Sequence, residues 1–234
     1  LSTHPICDPI NANIAKDLTP EEYDQAYKFL YHQHSHPHGP WLKFLHNAQK
    51  VLDGTKSPRI LVLASGPGEP AATLAANFPD AEVTSAHSTM KCIQWASHRF
   101  QKLGLSNIFT RLLPDMEDLS AFKACSFDLV VAGYGLANVS NPKAVLNEIH
   151  RVLAPGGTLL SAVWEQAPAD VACDIILRHS CIGPNPFHTD FDGKDVVGTF
   201  KCPVRTKHPT ALGKPHLLET MIEDANMSVK EVTT

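Results

Sequence analysis

Ile60-Leu61-Val62-Leu63-Ala64-Ser65-Gly66-Pro67-Gly68-Glu69-Pro70 is the stretch that decides the fold. A short apolar run enters a tight Gly-x-Gly turn, and an Ala-rich helix leaves it. Arg59–Leu63 suits a strand buried at the centre of a parallel sheet. The glycines let the main chain approach a ligand where a Cβ would clash.

Downstream of this turn the sequence alternates helix and strand. Glu69–Phe78 reads as a helix, Glu82–Ala86 as a strand, and Thr89–Leu103 as a helix with Ile93, Ala96, Phe100 and Leu103 on one face. Met90, Trp95 and Phe100 are expected in the core. Asn107–Leu112 and Phe127–Gly133 read as strands. Asn141-Pro142 opens a helix with Val145, Ile149, Val152 and Leu153 inward. Pro155-Gly156-Gly157 then turns the chain into a strand, Thr158–Val163. Pro215–Ala225 is a late helix closed by Asn226, and Met227–Val232 begins a sixth strand. This alternation specifies an open, mostly parallel α/β sheet with helices on both faces. Ligands of such sheets bind beyond the carboxyl ends of the strands.

Upstream, residues 1–18 are irregular, and Thr19-Pro20-Glu21-Glu22 reads as a capping box that starts a helix to about Tyr31. His32, His34, His36 and His38 follow, broken by Pro37 and Gly39-Pro40. No cysteine or carboxylate stands beside them at ligand spacing, so a polar loop without metal is expected. Trp41–Leu52 is a second amphipathic helix, and Asp53–Pro58 is a natural boundary. Residues 1–56 are therefore expected to form an N-terminal helical extension or lid, and residues 57–234 an α/β domain that ends where a further strand would be expected.

The 234 residues are 43% apolar and 19% charged, enough for a globular core. A net charge of −4 argues against a nucleic-acid binder. No apolar run approaches the ~18 residues of a membrane span. The 6 cysteines are scattered without a C-x-x-C pair, which predicts free thiols in a reducing compartment inside the cell. The first residue is Leu1, so removal of an organelle-targeting segment is compatible with the sequence.

Gly66-Pro67-Gly68-Glu69-Pro70-Ala71 matches the dinucleotide pattern G-x-G-x-x-[G/A]. Two residues oppose that ligand. Glu69 puts a carboxylate where a pyrophosphate would sit, and Pro70 removes an amide that would bind it. A nucleoside with a cationic centre and no phosphates, such as S-adenosylmethionine, is compatible with both.

Residues 59–164 resemble the class I S-adenosylmethionine-dependent methyltransferases, in particular the ubiquinone/menaquinone-biosynthesis C-methyltransferases and the broader type 11 group. Leu63–Pro70 is similar to their first motif, and Pro114-Asp115-Met116-Glu117-Asp118-Leu119 to their adenine-contact motif. Ser126–Val130, Tyr134–Val139 and Glu148–Leu159 are similar to their fourth strand, methyl-facing loop and helix-turn-strand. The resemblance implies a Rossmann-like fold and S-adenosylmethionine as cofactor. It implies that Ala64, Ser65, Gly66, Pro67 and Gly68 line the methionine and ribose side. By the same resemblance Asp115 accepts from the adenine amine, the Met116 amide lies beside the ring, and Tyr134 and Asn138 border the transferred methyl.

The chain departs from the family at three positions. Val62 stands where an acidic residue helps to hold the methionine ammonium, and His87 where an acid takes the ribose hydroxyls. Ala137 replaces an arginine frequent in the quinone subgroup. His87 offers a ribose one acceptor and one donor, so weakened cofactor binding is expected. No general base stands out, and His150 reads as structural. Two functions follow: methyl transfer to a small-molecule acceptor, with Trp164–Pro215 shaping the acceptor side, or an inactive methyltransferase-like subunit of a larger protein assembly.

Overall fold

The computed structural model describes residues 40–133, 135–163 and 216–232. Helix α1 (Pro40–Val51) precedes β1 (Arg59–Leu63), α2 (Ala71–Asn77), β2 (Glu82–His87), α3 (Met90–Lys102), β3 (Ile108–Leu112) and β4 (Phe127–Gly133). A 3₁₀ turn (Gly135–Asn138), α4 (Pro142–Val152), β5 (Leu153–Ala162) and α5 (Leu217–Asp224) follow. The five strands form one sheet in the order β3-β2-β1-β4-β5. Every pairing is parallel, as the alternation of elements requires. The chain winds outward from β1 to β3 and then returns to the other side of β1 at β4. That reversal makes a crevice at the carboxyl ends of β1 and β4.

Both faces of the sheet are covered. Ile60 and Val62 point with Val83, Leu129 and Val131 toward Trp41, Phe44, Leu45 and Ala48 of α1, the alanines of α2, and Ala96 and Phe100 of α3. Leu61 and Leu63 point the other way, with Val130 and Ala132, toward Val145, Leu146, Ile149 and Val152 of α4. Leu218, Met221 and Ile222 of α5 pack against that second core. The period-2 pleat thus divides one apolar strand between two cores. Because α1 shares a core with β1, a boundary at residues 56/57 cuts through one packed layer.

Several local signals read as expected. Thr89 caps α3 by accepting from the Cys92 amide at 3.2 Å, and Asn141 caps α4 by accepting from the Ala144 amide at 3.2 Å. Asn226 takes the left-handed conformation past α5, at φ 59°. Other expectations are corrected. Glu69 and Pro70 lie in the turn, so α2 begins at Ala71. β5 starts at Leu153, before the Pro155-Gly156-Gly157 turn, which interrupts the register: Phe127 pairs with Leu153, but Leu129 pairs with Thr158. Met227–Val232 forms no strand. Met90 and Leu103 are exposed, because each lies at an end of α3 beyond the reach of the sheet. The first predicted helix, the four alternating histidines and Trp164–Pro215 lie outside the described residues. Among the described residues no helix is long and apolar enough to cross a membrane, and no group of three metal-ligating side chains occurs.

Polar clamps fix the ends of the central strands. At the amino end, Asp128 of β4 accepts from the Arg59 amide at 2.8 Å, from Nε at 3.2 Å and from Nη2 at 3.0 Å. The Arg59 guanidinium holds the Asp128 carboxyl below its ordinary range. This contribution is present above the ordinary carboxyl pKa of about 4 and fades as pH falls further. At the carboxyl end, His87 closes β2 and is 1% exposed. Its Nδ1 lies 2.8 Å from the Gly66 carbonyl and its Nε2 3.0 Å from the Ser85 hydroxyl. A carbonyl only accepts, so Nδ1 carries a proton, and burial disfavours a second proton on Nε2, which accepts from the Ser85 hydroxyl. The imidazole is therefore neutral and pins the glycine turn to β2.

Asp128→Ala is expected to cost about 1–2 kcal/mol at neutral pH, since the ion pair is partly exposed. The measurement is a lower urea midpoint at unchanged m-value. A second prediction concerns pH. Burial pushes the His87 pKa from 6.5 down to about 4, against the smaller opposing effect of its bond to Gly66. Between those values the unfolded chain binds a proton that the folded chain does not. Stability therefore falls as pH drops through that window, by about 1 kcal/mol per pH unit from this residue. His87→Gln is expected to flatten the slope in urea unfolding between neutral pH and pH near 4.5. Identical slopes in wild type and variant would refute the buried neutral imidazole.

Candidate functional site

The site is built where β1, β3 and β4 end. Ala64 follows β1 in the left-handed region at φ 50°, and Gly66 and Gly68 follow at φ 51° and 110°. The two glycines do different work. A Cβ on Gly68 would lie 2.7 Å from Phe100 Cε1, so this glycine lets α3 pack against the turn. A Cβ on Gly66 would meet nothing within 4 Å, so there the main chain borders open space. Pro67 and Gly68 are buried. Ser65 is buried too, and its amide donates to the Ala86 carbonyl at 3.2 Å. The Ser65 Oγ is enclosed with no hydrogen-bond partner. A buried hydroxyl without a partner is costly.

Glu69 settles the ligand class that the turn can take. Its Oε2 accepts from the Thr73 amide at 3.1 Å and from the Thr73 hydroxyl at 2.8 Å. Its Oε1 accepts from Arg99 at 2.9 Å. The protein's own carboxylate thus fills the amino terminus of α2, where a pyrophosphate would have to bind. The dinucleotide pattern at Gly66–Ala71 is therefore closed to phosphate.

Two further loops, those after β3 and β4, meet the turn. A Cβ on Gly135 would lie 2.7 Å from Ala64 Cβ, 3.4 Å from Met116 Cε and 3.6 Å from Met116 Sδ. Only a glycine lets the chain leaving β4 pass between the ends of β1 and β3. Asp115 is exposed beside Met116, and its Oδ1 accepts from the Glu117 amide at 2.7 Å. That short loop presents the carboxylate outward while Met116 turns in.

Ala64 and Met116 thus meet at Gly135, with Ser65 and Gly66 continuing the turn from Ala64 and Asp115 the exposed neighbour of Met116. His87 does not join them. It sits at the expected place in sequence, but its two nitrogens are engaged by Gly66 and Ser85 beneath the turn. As a ribose acceptor it is corrected to a support of the turn, because an uncharged imidazole is stable when buried and a carboxylate is not. Val62 is fully buried among core side chains. Tyr134 lies outside the described residues, as do the side chains of Ala137 and Asn138. His150 is exposed on α4, away from the core. Sequence reasoning overlooked Gly135 and Glu117. Both lie inside motifs that were recognised, and only the contacts between loops single them out.

Comparison with known proteins agrees with this geometry. The family model described as a methyltransferase domain matches residues 61–161. The demethylmenaquinone methyltransferase of Chlorobaculum tepidum is 33% identical over 110 residues, covering 47% of this chain and 42% of that protein. The demethylmenaquinone methyltransferase of Thermus thermophilus is 35% identical over 114 residues, covering 48% and 50%. The matched stretch therefore spans about half of these relatives or less. Among solved structures, one described as an S-adenosyl-L-methionine-dependent methyltransferase of Methanococcus maripaludis superposes with a TM-score of 0.50 at 16% identity, covering 69% of this chain and 71% of that one. It shares the fold. Residues 61–161 thus match a methyltransferase domain, and over that stretch the chain is similar to demethylmenaquinone and ubiquinone/menaquinone-biosynthesis C-methyltransferases.

Proposed function

We propose that this chain transfers the methyl group of S-adenosylmethionine to a small-molecule acceptor. One observation carries the reading. The glycine turn is open at Gly66 and closed to phosphate by Glu69, and at Gly135 it meets Met116, whose neighbour Asp115 is an exposed carboxylate. Those features fit a nucleoside that carries positive charge and no phosphate. Ser65 and Gly66 would hold the methionine and ribose side, the enclosed Ser65 hydroxyl finding a partner there. Asp115 would accept from the adenine amine, with Met116 against the ring.

The cofactor supplies, when bound, a methyl group on a sulfonium that needs no further activation. The work of this chain is to align the acceptor and to exclude water. Tyr134 and Asn138 are proposed to border the transferred methyl, since the loop that carries them leaves β4 after Gly133 and passes Met116 at Gly135. The acceptor is proposed at the level of a small molecule. The relatives named above act on demethylmenaquinone, but Ala137 stands where their subgroup often has an arginine. An inactive subunit is the reading that Val62 and the commitment of His87 favour. The transferase names of the relatives favour the active one.

Calorimetric titration with S-adenosylmethionine tests the proposal. Binding in the micromolar to submillimolar range is expected. Asp115→Ala is expected to weaken it by about ten- to a hundredfold, the worth of one hydrogen bond to a charged group. No heat at millimolar cofactor would overturn the methyl-transfer reading. Full affinity in the variant would overturn the role of Asp115.

A further inference from the structure

The adenine-contact segment, Pro114–Leu119, is a loop, yet it is tied down at several points. Its start is fixed by the Leu113 amide, which donates to the His87 carbonyl at 2.7 Å. Its end is fixed by α4. Glu148 Oε2 accepts from the Leu119 amide at 3.0 Å, and Arg151 Nη2 donates to the Leu119 carbonyl at 2.8 Å. Arg151 also donates to the Phe122 carbonyl at 3.0 Å and pairs with Glu148 at 2.7 Å. The middle of the loop is held by one side chain. Glu117 Oε1 accepts from the amide of Asn141, the residue that caps α4, at 2.5 Å.

Resting on the cofactor reading above, we propose that Glu117 is a positioning residue that couples the adenine end of the site to the methyl end. Its backbone amide orients the Asp115 carboxylate, and its side chain anchors the same loop to Asn141. Two residues separate Asn141 from the 3₁₀ turn that begins at Gly135, whose main chain lies against Met116. One residue therefore sets Asp115, Met116 and the chain beyond Gly135 in register. Glu117 need not touch the ligand to do this. An untethered loop would have to be ordered when ligand arrives, and that entropy would be subtracted from affinity.

The anchor needs an acceptor oxygen at the reach of a glutamate, not a negative charge. Glu117→Ala removes it, Glu117→Asp keeps the charge but falls one methylene short, and Glu117→Gln keeps the acceptor. Calorimetry with S-adenosylmethionine and with S-adenosylhomocysteine should show the Ala and Asp variants weakened about tenfold for both ligands. The Gln variant should stay within about threefold of wild type. The melting temperature of the Ala variant should fall by only a few degrees, as for one partly exposed bond. If Glu117→Ala proves too unstable to titrate, the Asp and Gln pair decides, since a merely structural or charge role would not separate them in this order. Wild-type affinity in the Ala and Asp variants, or a Gln variant as weak as Ala, overturns the inference while the cofactor reading stands. No binding by wild-type protein overturns that reading, and the inference with it.

Discussion

Everything in this fold is arranged around β1. Its residues pair on one side with β2 and on the other with β4, and Ile60, Leu61, Val62 and Leu63 have no exposed surface. A strand enclosed in this way carries apolar side chains on both faces, because neither face meets water. Each of the four contributes about 1.5–3 kcal/mol of burial. The chain leaving β1 therefore emerges at a fixed point between β2 and β4. That placement puts the Gly66 turn at the crevice, and the remaining loops are positioned relative to it.

The turn shows how one motif divides into unlike parts. Gly68 is demanded by packing on Phe100, whereas Gly66 has space around it. Glu69 spends its carboxylate on Thr73 and Arg99, capping α2 from within. The same backbone that could cradle a phosphate is thus committed to holding itself. His87 completes the arrangement from below. A carboxylate there would need solvent or a cation, while a neutral imidazole satisfies the Gly66 carbonyl and the Ser85 hydroxyl at once.

The order of strands and helices was legible because its signals are local. Thr89 and Asn141-Pro142 mark helix starts by hydrogen bonds made within a few residues, and the apolar run of β1 records its burial directly. The errors have physical causes as well. Sequence cannot tell that Met90 and Leu103 stand at the overhanging ends of α3, since periodicity continues where the neighbouring sheet does not. It assigned His87 to a ligand because position along β2 is readable, whereas the direction of a side chain beneath a loop is set by tertiary contacts. It gave no weight to Gly135, whose requirement arises only when Ala64 and Met116 approach from other strands.

Charge is distributed unevenly between the turn and the loop after β3. Around the turn, Val62 is apolar, His87 is neutral and engaged, and Glu69 is neutralised by Arg99. The turn itself is left with main-chain groups and the Ser65 hydroxyl. Asp115 is exposed and stands on a loop tied to α4 through Glu117, Glu148 and Arg151. A charge-assisted hydrogen bond is about twice as strong as a neutral one, so in the proposed reading the oriented Asp115 carboxylate would be the strongest polar anchor on this loop. A ligand held from that end is aligned by the rigidity of the loop beneath it. The departures at Val62 and His87 thus shift the demand for order onto Pro114–Leu119, the segment that α4 braces.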